Sequence, residues 1–140
     1  MHAGYSRRSL IEKLGIKEGF RIIILDPPQN YGTIIGELPN SVSVVRNLEG
    51  PLDFIHFFTK SRKELENKFP ALKQELSQNG ILWISWPKTS SKVETDLDED
   101  VVREIGLKNG LVDVKVSAID ETWSGLKFVY RLKDRLKREV

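Results

Sequence analysis

The 140-residue sequence contains no cysteine. That one absence excludes disulfides, thiolate zinc sites, iron–sulfur clusters and cysteine nucleophiles, and it suits a reducing cytoplasm. Histidine is scarce too: His2 and His56 are the only two and lie far apart, so no metal site of the ordinary zinc type is expected. No window approaches the roughly 18 apolar residues needed to span a bilayer, and the opening MHAGYSRRSLIEKLG has no apolar secretion core. Neither membrane insertion nor secretion is expected, and the localisation implied is cytoplasmic. Charge of one sign is missing as well, with 22 Lys and Arg against 20 Asp and Glu. Basic residues crowd only the end, at Arg131, Lys133, Arg135, Lys137 and Arg138, which reads as a solvated tail. Nucleic acid is therefore not an expected partner. No serine sits in a Gly-x-Ser-x-Gly elbow, so hydrolase chemistry of that kind has no support.

What is present is an ordinary globular composition, 39% hydrophobic and 30% charged, over a length that suits one domain spanning residues 1–140. The run at residues 20–25 (FRIIIL) is continuously apolar, as a strand covered on both faces must be. Similar runs follow at 42–45, 52–58 (LDFIHFF), 81–86 (ILWISW), 111–119 (LVDVKVSAI) and 126–132 (LKFVYRL). Between them lie helical patterns. One starts at Ser61, where Ser61 and Glu64 have capping-box spacing and Leu65, Phe69, Leu72 and Leu76 share a face, with a kink expected at Pro70. Another starts near Asp96 and buries Val101, Val102 and Ile105; a shorter one covers about residues 6–14. Gly80 and Gly110, each after an asparagine, read as helix C-caps.

The rhythm of strand and helix implies a single open, mostly parallel, Rossmann-type α/β sheet of about six strands with helices on both faces. The last two strands are separated only by residues 120–125 (DETWSG), which leaves no room for a crossover helix and predicts an antiparallel hairpin.

The segments KLGIKEGFRIIILDPP, LEGPLDFIHFF, NGILWISWPK, DEDVVREIGL and LVDVKVSAIDETWSGLKFVYR carry a resemblance to an uncharacterised bacterial family, a domain of unknown function, over nearly the whole chain. More distantly, the chain resembles the class I methyltransferases, whose parallel sheet also finishes in one antiparallel hairpin. That second resemblance implies a fold, not a reaction. It also implies two features for binding S-adenosylmethionine: a glycine-rich turn after the first strand, and an acid at the end of the second that holds the ribose hydroxyls. Here the turn reads Asp26-Pro27-Pro28-Gln29-Asn30-Tyr31-Gly32 and the second strand ends in Val45-Arg46-Asn47. Both features are missing, and no cofactor is assigned on the sequence. DPPQNY resembles the Asp-Pro-Pro-Tyr motif of amino-group methyltransferases, but it follows the first strand instead of the fourth and has two extra residues before the tyrosine.

Ligands of open α/β sheets bind outside the carboxyl ends of the strands. The segments that reach that edge contribute Asp26, Tyr31, Ser61, Trp86, Lys88, Asp120 and Trp123 as ligand-binding candidates, with none assigned to catalysis. Two tryptophan faces (Trp86, Trp123), two carboxylates (Asp26, Asp120), a cation (Lys88) and a helix start at Ser61 are read as suiting a small anionic ligand with a flat ring. Residues 89–92 (TSSK) are a candidate lid at the same edge. His56, inside a strand covered on both faces, is expected to be a neutral, hydrogen-bonded core residue. The function expected is a non-catalytic or regulatory binding module, on a degenerate methyltransferase-like fold, for that ligand or for a protein partner. The alternative is a small atypical S-adenosylmethionine-dependent methyltransferase.

Overall fold

The computed structural model describes residues 9–136. The apolar runs form β1 (Arg21–Leu25), β2 (Ser43–Val44), β3 (Leu52–Phe58), β4 (Leu76–Pro87), β5 (Leu111–Ala118) and β6 (Trp123–Tyr130). They join in the order β2-β1-β3-β4-β6-β5, with parallel pairing from β2 to β4 and β6 antiparallel to both its neighbours. Among the described residues, five α-helices accompany them: α1 (Leu10–Leu14), α2 (Tyr31–Ile35), α3 (Arg62–Glu75), α4 (Glu99–Lys108) and α5 (Leu132–Leu136).

Alternation along the strands divides the core in two. Ile23, Ile55, Phe57, Leu82, Ile84 and Phe128 meet Leu65, Phe69 and Leu72 of α3 and Val102 and Ile105 of α4. Ile22, Phe54, Phe58 and Trp83 meet Ile11 and Leu14 of α1 and Tyr31 and Ile35 of α2. Helices thus cover both faces. None among the described residues is long and apolar enough to cross a membrane.

Several boundaries differ from those read in the sequence. Ser61 does cap α3, accepting from the Glu64 amide at 3.1 Å, but the reciprocal half of the box is not made because the Glu64 carboxylate accepts from Thr59 Oγ1. α3 runs through Pro70 and stops at Glu75, so Leu76 opens β4 instead of closing the helical face. Gly80 is not a C-cap. It lies in a bulge where residues 77–80 oppose Asp53 alone, and a Cβ there would stand 2.9 Å from the Leu52 and Ser77 carbonyls. Gly110 does follow α4 in the left-handed region, at φ +91°. α4 is capped by Asp98, two residues later than Asp96. β6 ends at Tyr130, so Leu132 starts a helix instead of ending a strand, while Lys137 and Arg138 fall outside the described residues. Residues 6–8 of the expected first helix also fall outside them; α1 is capped by Ser9, which shares a full capping box with Glu12.

Gly106 sets how closely α4 sits on the sheet, because a Cβ there would collide with the buried Phe128 ring. Gly106→Ala is expected to cost about 1–3 kcal/mol through overpacking, despite its better helix propensity. Urea unfolding checks the sign; a stabilised variant would show that α4 can shift outward freely.

Candidate functional site

From β1 the chain places β2 on one side and β3 on the other, so the strand order reverses between β1 and β3. The crevice outside the carboxyl ends at such a reversal is where open α/β folds take ligands. Here it is a cavity of about 290 Å³ lined by Asp26, Pro27, Pro28, Phe58, Thr59, Lys60, Glu64 and Trp123. Asp26 turns the chain at φ +53°, a left-handed corner that a short polar side chain tolerates. The Pro28 carbonyl then accepts from the Tyr31 amide at 3.0 Å, where α2 begins. Across the crevice the Trp123 ring meets Phe58 edge-on, centroids 5.1 Å apart. The lining holds two carboxylates, Asp26 and Glu64, and one ammonium, Lys60, a formal balance of one net negative charge.

Two larger hollows, of about 460 and 530 Å³, adjoin it through Glu64 and Lys60. Both lie open along the start of α3. The smaller one is the more enclosed and takes residues from the ends of β1, β3 and the hairpin together, which makes it the candidate site.

Of the residues singled out in the sequence, the structure brings Asp26 and Trp123 together in this crevice. Ser61 lines the adjoining hollows. The α3 start, expected to receive an external anion, is already served: the Arg62 amide donates to Asp96 Oδ1 at 2.7 Å, and Thr95 Oγ1 pins the Lys60 carbonyl at 2.6 Å. Trp86 is a correction. It follows Leu82 and Ile84 on the face under α3 and α4, is only 5% exposed, and offers no face to a ligand. Tyr31 is another. It is 7% exposed, and its hydroxyl bonds His56 Nδ1 at 3.0 Å, with burial raising the phenol pKa. Lys88 and Asp120 stand outside the lining. The Lys88 amide donates to the Thr122 carbonyl at 2.7 Å, and Asp120 Oδ1 accepts from the amides of Thr122 and Trp123, both at 2.8 Å. Asp120 therefore shapes the turn that presents Trp123. Residues 89–91 form a short 3-10 turn.

Phe58 and Glu64 belong to the lining but were not visible as such. Glu64, three residues after Ser61, carries a local capping signal, and nothing in the sequence says that its carboxylate turns to Thr59 instead.

His56 is fully buried, bonded through Nδ1 to Tyr31 and through Nε2 to Ser85 Oγ at 2.8 Å, and stacked on Phe58 at 4.2 Å. Desolvation lowers its pKa to about 3, so the ring is neutral at ordinary pH. Among the described residues no group of three potential ligands could hold a metal ion.

This sheet order, with the reversal and the closing hairpin, is the fold of the class I S-adenosylmethionine-dependent methyltransferases. A TehB-like methyltransferase from Corynebacterium glutamicum superposes with a TM-score of 0.59 at 14% identity, covering 92% of this chain and 91% of that one. A SAM-dependent methyltransferase from Aquifex aeolicus gives 0.57 at 16% identity, covering 85% and 86%. Fibrillarin from Aeropyrum pernix, with natively bound S-adenosyl-L-methionine, gives 0.56 at 16%, covering 83% and 69%. No protein-family model matches the chain, and no curated protein does.

Proposed function

We propose that the chain is a small S-adenosylmethionine-dependent methyltransferase of atypical donor geometry, which holds the donor in the crevice between β1 and β3. The observation that supports this is the crevice itself: an acidic, tryptophan-edged cavity at the strand reversal of a methyltransferase fold. The donor carries a sulfonium and an ammonium against one carboxylate, so its net charge is positive and complements the lining. Asp26 and Glu64 would face its cationic groups, Lys60 its carboxylate, and Trp123 its flat base. A bound donor supplies a methyl group on positively charged sulfur. The cavity is at the small end of the roughly 300–1,000 Å³ usual for ligand sites, so the donor would extend toward the hollow that shares Glu64.

The fit differs from the usual one in two places. Asp26 keeps a left-handed corner after β1, but Pro27 and Pro28 have no N–H to offer the ligand. Arg46 and Asn47 stand after β2 in place of an acid. These prolines favour a second reading, a non-catalytic or regulatory binding module using the same crevice. A small anionic ligand has less support than the sequence suggested, since Lys88 stands apart and Asp96 already serves α3.

Calorimetric titration with S-adenosylmethionine and S-adenosylhomocysteine tests the proposal. Micromolar binding is expected, and Asp26→Asn should weaken the sulfonium compound about tenfold, or ~1.4 kcal/mol, and should weaken the thioether, which keeps the ammonium but not the charged sulfur, by less. Trp123→Ala should weaken both. Absence of heat with either ligand would retire the methyltransferase reading and favour the binding module.

A further inference from the structure

The turn that forms one lip of the crevice is tied forward into α2. Residues 27–30 include two prolines; the Pro28 carbonyl accepts from the Tyr31 amide and the Asn30 carbonyl from the Ile34 amide, both at 3.0 Å. Tyr31 is the first residue of α2 and is anchored deeply. Its hydroxyl reaches His56 Nδ1 in the middle of β3 (3.0 Å), and His56 Nε2 continues to Ser85 Oγ in β4 (2.8 Å). Its ring also meets the edge of Phe58 at 5.4 Å, and Phe58 is the residue against which Trp123 rests at 5.1 Å. One side chain is therefore bonded into the two central strands and packed against the crevice floor. Its backbone also fixes the lip.

We propose that Tyr31 is a positioning residue: through its hydrogen bond to His56 it sets where the Asp26–Pro28 lip stands relative to Trp123, and so sets the affinity of the crevice for its ligand. The inference rests on the crevice being the ligand site. The bond directs the phenol inward onto the imidazole, so the ring and the α2 start share one seating. Without the hydroxyl, His56 Nδ1 is left without a partner, and the ring, α2 and the lip are free to shift together.

The test compares Tyr31→Phe with Tyr130→Phe. Tyr130 gives a control for loss of a phenol hydrogen bond, since its hydroxyl donates to the Lys73 carbonyl at 2.9 Å on the opposite side of the sheet. In ligand-free protein, Tyr31→Phe should move the backbone amide NMR signals of Asp26, Gln29 and Asn30, and Tyr130→Phe should leave them in place. In titration with S-adenosylhomocysteine, Tyr31→Phe should weaken binding roughly fivefold or more and Tyr130→Phe should not. Unmoved lip signals, or equal affinities in the two variants, would overturn the proposal. If the wild-type chain binds no S-adenosylhomocysteine, that result counts against the methyl-donor reading, and the NMR comparison still decides the role of Tyr31.

Discussion

Trp83→Ala is expected to lower the free energy of unfolding by about 3–5 kcal/mol, which is a large part of the roughly 5–15 kcal/mol that holds a domain folded. Trp83 lies in β4 with no exposed surface, in the core that α1 and α2 cover. Its ring is so close to β6 that a Cβ at Gly125 would stand 2.9 Å from it. Its indole N–H donates to the Leu14 carbonyl at 2.9 Å, the bond that pins the end of α1 to the sheet. Alanine would leave a cavity between the sheet and the helices that cover it, together with a carbonyl deprived of its donor. Urea denaturation at pH 7 measures the loss. A cost below about 1.5 kcal/mol would mean that α1 can settle into the space.

Stability is also expected to fall steeply as the solution is acidified below pH 6.5. Unfolded, His56 titrates near its ordinary value of 6.5, whereas in the fold it titrates near 3. Above pH 6.5 the ring is neutral in both states and pH has no effect through it. Between 6.5 and 3 the unfolded chain takes up a proton that the folded chain refuses, and each unit costs about 1.4 kcal/mol. By pH 5 the loss is roughly 2 kcal/mol. The carboxylates titrate in the same region, so the comparison is with His56→Gln, which retains polar groups for Tyr31 and Ser85 but does not ionise. From pH 6 to 5 the unfolding free energy should fall by about one proton's worth less in the variant, and from pH 7 to 6 by about half that. Parallel slopes would show that the histidine is not held neutral.

The fold was largely legible because alternation and turn length are local properties. FRIIIL had to be covered on both faces, and DETWSG had no room for a helix. The neutrality of His56 followed from its neighbours in LDFIHFF in the same way. The site was less legible, because its members are chosen by which face a strand residue takes and by which partner a polar group finds. Trp86 and Trp123 looked alike in sequence. The register of β4 puts the first under α3 and α4, whereas Trp123 begins β6 at the rim. α2 escaped notice because five residues containing Gly32 and Thr33 carry no helical period, and the helix exists through Tyr31 and Ile35 packing on the sheet. Asp96 and Asp98 are both good caps by residue type, and only the fold shows that one serves α4 and the other the start of α3.

That last contact amounts to an internal competitor. The carboxylate of Asp96 is tied to the same chain as the Arg62 amide that it occupies, so its effective concentration there is on the order of millimolar or higher. A free phosphate or carboxylate at micromolar levels must therefore compete with a tethered carboxylate for that amide.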